Sequence, residues 1–552
     1  MPEPESFTGS LEFPIDATDP AVLERTWDRD DMHMPFPLAP LAADYITRIL
    51  GASFNHHYAR FGSTQTNEAR VWNGYVYFGF AWNLPADDDE DAAKAAWTEV
   101  LRERIAATPA YWRDEAMPEL RRIYASLESV PVEELAPADL AAAWHDAWAA
   151  TLDAWRIHFV SIMGPYQVLE DLSDQYAAAI GAGRDVEALS LTRGDVHELE
   201  EVESGIEALG AMLAASPELA ATVATQARGA ADTDADRLDR DALRAAPGGP
   251  AFVAALDDFL ELHGHLGQNH DDLATPSWAE APSGLLRSLG QRAARPGGAE
   301  ARLEEARAQA TERADAVRAA LADRPGELAR FETTLAHARA IGYLTEGHNY
   351  WIDRMAQARL RGLVTRVGRR LVRAGVIDSV EDAFFLGADE VAKAIVDGSP
   401  RQAVILERRA ELERQRSLTP PRYVGPIPDD TGPSDRFDSV RLEATAANEL
   451  RGTGASAGVV RGAARVILSQ DDFGRVRQGD IIIAPASNPS WVPVFTIAGG
   501  LVTNTGGVLS HAAVVAREFG LPAVVGAVDA TSKIADGRLV EIDGTAGTVR
   551  LL

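Results

Sequence analysis

The stretch Thr505–Ala513 (TGGVLSHAA), continuing to Pro522 (VVAREFGLP), constrains the fold more than any other part of the chain. Its two adjacent glycines permit a tight turn and close backbone approach. Ser510 is a good N-cap, which predicts a helix with His511 in its first turn, running to Phe519. Gly520 is a natural residue just past a helix end, and Pro522 enforces the stop. The imidazole of His511 then stands at the positive end of a helix dipole, beside free backbone N–H groups, where a doubly charged phosphate is stabilised. A neutral imidazole nitrogen is nucleophilic near neutral pH, so His511 can take up a phosphoryl group and pass it on. Taken alone, a histidine at a helix start is more readily a cap or a packing group.

The surroundings change that balance. The whole run Gly500–Gly526 (GLVTNTGGVLSHAAVVAREFGLPAVVG) closely resembles the phosphohistidine swivelling domain of phosphoenolpyruvate-utilising enzymes. The resemblance continues upstream in Gly454–Gly458 (GASAG), Gly462–Val466 (GAARV) and Gly479–Pro485 (GDIIIAP). A match of this length is far more specific than a short motif. It implies that His511 is the residue phosphorylated during turnover, with Thr505, Gly506, Gly507 and Ser510 around the phosphate.

Composition narrows the partners. The formal net charge of −30 argues against nucleic acid or an anionic membrane, both of which need a cationic footprint. The absence of cysteine removes disulfides, thiolate nucleophiles and Cys-ligated zinc. No signal peptide is visible after Met1, and no apolar run approaches the roughly 18 residues of a membrane span, so a cytoplasmic enzyme is expected. The only lysines are Lys94, Lys393 and Lys533, and none stands in a phosphate-binding P-loop.

The fold expected is multidomain: a large, mainly α-helical domain followed by a C-terminal α/β swivelling domain. The boundaries are residues 1–416, a Pro/Gly-rich linker at 417–445 acting as a hinge, and 446–552. To about Leu84 the chain is aromatic-rich and irregular, with a proline-punctuated loop around His33. Val71–Tyr77 predicts a hairpin turning at Asn73-Gly74. From about Ala92 to Ala230 helical spacing dominates. The stripe Trp144, Trp148, Trp155, His158, Phe159, Met163 and Tyr166 suits either a core or a hydrophobic acceptor pocket.

A second cluster follows the helix ending near Leu262: His263, His265, His270, Asp271 and Asp272 beside glycines, then Trp278. It resembles a segment of the rifampicin phosphotransferase acceptor domain at His265, Asp272, Leu273, Pro276 and Trp278. It departs from it at Leu266 and His270, where arginine and glutamate are usual. Three readings stay open: a His265–Asp272 pair that deprotonates an acceptor hydroxyl, a mononuclear metal site, or a hydrogen-bonded structural turn. Glu346 and His348 open a further helix and resemble a Glu-x-His-Asn segment of related phosphotransferase subunits. With His33, His270 and Trp278 they are the candidate substrate-binding residues. No metal site is assigned. The arginines from Arg359 to Arg373 form either a solvated face or a surface that meets a phosphohistidine.

The order of domains resembles the last two domains of rifampicin phosphotransferase, and the split arrangement of phenylphosphate synthase. That implies a phosphotransferase subunit in which a separate ATP-grasp protein, with its own ATP and Mg²⁺, phosphorylates His511. The swivelling domain then carries the group to a hydroxyl of a small, apolar organic acceptor. On this reading the chain alone binds no nucleotide. The alternatives are a non-catalytic ligand-binding or regulatory relative, and a dehydratase working through a phosphorylated intermediate.

Overall fold

Alanine- and leucine-rich segments with apolar residues at helical spacing form helices along most of the chain before Arg416, and strands dominate after Glu449. The computed structural model describes the chain apart from residues 1–5, 11, 17–18, 85–88, 182–184, 193–197, 230–237, 268–271, 294–298, 428–447, 469, 488–490 and 496. His270 and most of the expected linker lie outside the described residues. Among the described residues no single helix is long and apolar enough to cross a membrane.

The contacts divide the chain into two units: residues 1–164, 270–275 and 351–431, and residues 165–269, 276–350 and 432–552. The boundary in the long helix Pro137–Ile180 falls at its internal Pro165.

The first unit holds a five-stranded antiparallel sheet. Its strand order is Ser6–Phe7, Tyr423–Pro426, Trp27–Arg29, Tyr75–Trp82 and Gln65–Trp72. The expected hairpin is present, and Asn73 and Gly74 both have positive φ, as a tight two-residue turn between twisted strands requires. Tyr423–Pro426 falls within the stretch read as a linker and is instead pinned between Ser6–Phe7 and Trp27–Asp28. The helix Pro40–Phe61 packs on Gln65–Trp72, and Asn55 bonds both the N–H and the C=O of Asn67.

The tryptophan stripe is core here: the indole of Trp144 donates to the carbonyl of Ala388, and that of Trp155 to the hydroxyl of Tyr45. The arginine-rich helix is explained locally too. Arg366 donates to the carbonyls of Leu127 and Val130, and Arg370 to that of Leu135. They satisfy the open end of the helix Met117–Glu128 and the turn after it.

The second unit combines helices with an eight-stranded sheet. The order is Glu449–Arg451, Thr548–Leu551, Leu539–Asp543, Val459–Val466, Ile481–Ala484, Gly500–Thr503, Ala523–Val525 and Thr453–Ser456. The four strands from Val459–Val466 to Ala523–Val525 run parallel, and the others are antiparallel. Both edge strands belong to one stretch of chain, interrupted only at Gly452, so the two ends of the sheet meet there. At this seam a Cβ on Gly454 would lie 2.7 Å from the carbonyl oxygen of Gly544, closer than a side chain allows.

Ile481, Ile483, Val502, Val524, Val540, Ile542 and Val549 fill the interior of this sheet. Each is fully buried, a contribution of roughly 1.5–3 kcal/mol per side chain. The short helix Val492–Phe495 packs on the helices Glu198–Ala214 and Ser283–Ala293, which seats the strand-rich part against the helical part of the same unit.

Candidate active site

The strand Gly500–Thr503 delivers the chain into the loop before His511. That loop is held from both sides: Thr505 donates its N–H and its hydroxyl to the carbonyl of Pro485, and the hydroxyl of Thr503 donates to the carbonyl of Thr505. Gly506 has a φ of 109°, and a Cβ there would lie 2.7 Å from Oγ of Ser510. Only glycine fits both demands. The helix then runs His511–Glu518, with Ser510 at its N-cap and Gly520 at a φ of 60° beyond its end. Ser510 occupies the expected capping position but makes no side-chain cap hydrogen bond. The first-turn N–H groups therefore stay open to an anion. Buried Arg517 donates to the carbonyls of Val508 and Ala455, fastening the loop to the sheet.

His511 and Glu346 meet in this unit. The side chains are 10% and 2% exposed, and Nδ1 of His511 lies against Oε2 of Glu346. An ionised carboxylate only accepts, so Nδ1 carries the proton and donates it. In the neutral ring the other nitrogen, Nε2, then keeps its lone pair, which is the form a nucleophile needs. Among the described residues Nε2 of His511, Oε1 of Glu346 and Oγ of Ser510 are all buried without a hydrogen-bond partner. Leaving one buried polar group unpaired costs about 1–3 kcal/mol. Three such atoms on these side chains outline a place for a polar group. A crevice lined by Arg339, Tyr343, Thr345, Glu346, Val514 and Arg517 borders the same helix.

The other expected residues have contacts of their own. His265 is buried, with its ring edge-on to Tyr350 at 4.4 Å between centroids. The neighbouring His263 donates from Nδ1 to the hydroxyl of Tyr350 at 2.8 Å, and that hydroxyl donates on to the carbonyl of Leu262. Burial pushes the pKa of His263 down to about 4. Trp278 is buried and stacks on Phe259, and its backbone N–H donates to the carbonyl of Leu266. His348 donates from Nδ1 to the carbonyl of Leu344 at 2.6 Å.

Asp272 belongs to the first unit, where Oδ1 accepts the N–H of Ala274 and its backbone carbonyl accepts from Gln357. Burial raises its pKa. His33, in the same unit, contacts both carboxylate oxygens of Asp30 through Nδ1, at 2.9 and 3.0 Å. Sequence reasoning places Glu346 near substrate and misses its bond to His511. The positions stand 165 residues apart, and only the resemblance at Glu-x-His-Asn marks Glu346.

Two stretches of the chain match known families. Residues 476–547 match the mobile domain of PEP-utilising enzymes, and residues 158–346 match the fourth domain of rifampicin phosphotransferase. The first match contains His511, and the second ends at Glu346. In these two stretches the chain is similar to phosphoenolpyruvate-utilising enzymes.

Among similar proteins, a chondramide synthase of Chondromyces crocatus is 30% identical over 580 residues, covering 100% of this chain and 14% of the synthase. The rifampicin phosphotransferase of Streptomyces sviceus is 33% identical over 58% of this chain and 36% of its own length. An uncharacterised phosphotransferase of Bacillus subtilis is 26% identical over 55% of this chain and 37% of its own. The chain thus spans between 14% and 37% of the length of these relatives.

Proposed function

We propose that the chain is a phosphotransferase component that carries a phosphoryl group on Nε2 of His511 and delivers it to a hydroxyl of a small, apolar organic acceptor. The observation that carries this reading is the Nδ1 contact with buried Glu346, which leaves Nε2 as the free, deprotonated nitrogen at an uncapped helix start. The phosphoryl donor is ATP with Mg²⁺, handled by a separate ATP-grasp protein. The scarcity of lysine, with none in a P-loop, supports assigning nucleotide handling to that partner. Phosphoryl transfer needs positioning and charge neutralisation more than covalent chemistry from the protein. The first-turn N–H groups of the His511 helix supply part of that.

Incubation with the ATP-grasp partner, ATP and Mg²⁺ should give an acid-labile phosphoprotein, and His511→Asn should abolish it. Equal labelling of wild type and variant would overturn the assignment. A second reading has the phosphoryl group activate a hydroxyl for later loss. It draws on the end-to-end similarity to part of a chondramide synthase. Product analysis separates the two: a stable phosphate ester supports the first, and loss of the hydroxyl oxygen the second.

A further inference from the structure

Beside the His511 helix, within the second unit, runs a crevice that the carrier step leaves unused. Val514 and Glu518 line it, and their spacing from His511 puts it along the face of the helix that bears the histidine. Glu346 lines it as well, and His511 engages only its Oε2. Oε1 is buried without a hydrogen-bond partner among the described residues, and such atoms are rare enough to call for a partner from outside the chain.

The rest of the lining decides which group fits. The hydroxyl of Thr345 donates to the carbonyl of Gly342 at 2.7 Å, and that of Thr192 to the carbonyl of Leu189 at 2.9 Å. Each oxygen is then left to a ligand as an acceptor only. With the Glu346 carboxylate they make a lining that wants donors, and a protonated amine supplies three on one small head. The crevice volume, about 30 Å³, holds about two water molecules, so one such head enters and the remainder of the ligand stays outside. Arg339 also lines the crevice, and it is exposed on the last turn of the helix Pro325–Ile341. Its Nε donates to the carbonyl of Leu191 at 3.1 Å, while its outer nitrogens make no hydrogen bond among the described residues. A guanidinium fork held in this way suits a carboxylate.

We propose that the crevice binds a small zwitterion, its ammonium on Oε1 of Glu346 and its carboxylate on Arg339, and that occupancy slows the loading of His511. The regulatory half of this inference rests on the carrier reading above, whereas the binding half stands without it. The coupling runs through one carboxylate. A positive charge on Oε1 weakens the pull of Oε2 on the proton at Nδ1, so Nε2 becomes less basic and a poorer nucleophile.

Glycine and β-alanine, which differ in the span between their charges, are the probes, followed by calorimetry and ligand-observed NMR on the full chain. At least one should bind saturably. Methylammonium and acetate, each carrying half of the pattern, should bind at least about tenfold more weakly. Arg339→Gln should weaken the zwitterion at least about tenfold with the thermal midpoint unchanged, and Glu346→Gln should weaken it as much. With the ATP-grasp partner, ATP and Mg²⁺, the saturating zwitterion should slow labelling of His511 at least about fivefold. Arg339→Gln should lose that response while labelling at the wild-type rate without ligand. No saturable binding of either zwitterion, equal affinity for methylammonium or acetate, or binding indifferent to either substitution overturns the site. Saturable binding with an unchanged labelling rate overturns the regulation. If His511 never labels in wild type, the carrier reading fails, and the binding measurements still decide the site.

Discussion

Glu346 and His511, 165 positions apart, share one hydrogen bond in a site from which water is almost excluded. A lone buried carboxylate is expensive, so each group makes the position of the other tolerable. Such pairs add little net stability compared with apolar residues of similar size. Their retention is better understood through what they fix, which is the tautomer of the histidine.

Glu346→Gln tests that directly. An amide can accept from Nδ1 or donate to it, so it no longer dictates which ring nitrogen is protonated. Labelling of His511 should slow by about 10²-fold or more, by analogy with loss of the orienting carboxylate in other histidine-based sites. Nitrogen NMR of the imidazole should show mixed tautomers. An unchanged tautomer with an unchanged rate would remove Glu346 from the mechanism.

Gly506→Ala probes the loop. At a φ of 109°, and with Ser510 Oγ in the way, the added methyl should destabilise the fold by about 1–3 kcal/mol. The phosphorylation rate should fall at least about tenfold, since small displacements at a reacting centre are costly. Denaturant melts and single-turnover labelling measure the two effects separately.

Arg517→Met leaves the carbonyls of Val508 and Ala455 without this donor. We expect a loss of about 2–4 kcal/mol in unfolding free energy. Unchanged stability by urea titration would mean that those carbonyls find other partners.

Acid should weaken the fold before it reaches the carboxylates. His57 is pushed down to about 3, by burial first and then by charge on His56, Arg60 and His158, and burial pushes His263 down to about 4. Their ordinary value is 6.5, so the unfolded chain binds protons that the folded chain refuses. Stability is full above that value and falls as pH drops toward the folded values. The slope is at most about 1.4 kcal/mol per pH unit for each histidine. Urea midpoints at about pH 7.5 and about pH 5 should differ, and His57→Phe should flatten the difference. A slope unaltered by His57→Phe would contradict this account.

What is legible in the amino-acid order is local chemistry. Asn73-Gly74 specifies its turn through backbone sterics alone, and Ser510 with Gly520 brackets the His511 helix. Long-range pairing is not legible in the same way. Thr453–Ser456 carries too little apolar alternation to announce a strand, and it becomes one because Ala523–Val525 lies beside it. The strand Val459–Val466 begins among exposed residues that dilute its apolar pattern. The arginines after Arg359 read as a charged face, yet Arg366 finishes a helix that is distant in sequence and Arg370 secures the turn after it. Which carboxylate faces His511 depends on the same kind of distant contact.

The seam at Gly452 has a consequence for how the phosphohistidine domain is made. Glu449–Arg451 pairs with Thr548–Leu551, and Thr453–Ser456 pairs with Ala523–Val525. During synthesis the first stretch therefore waits, half paired, until Thr548–Leu551 has cleared the ribosome. Closure by pairing so distant in sequence is slow compared with helix formation. Removing those residues should leave Glu449–Arg451 as an exposed template for a neighbouring polypeptide, making a nascent or truncated chain prone to aggregate where the finished one is not.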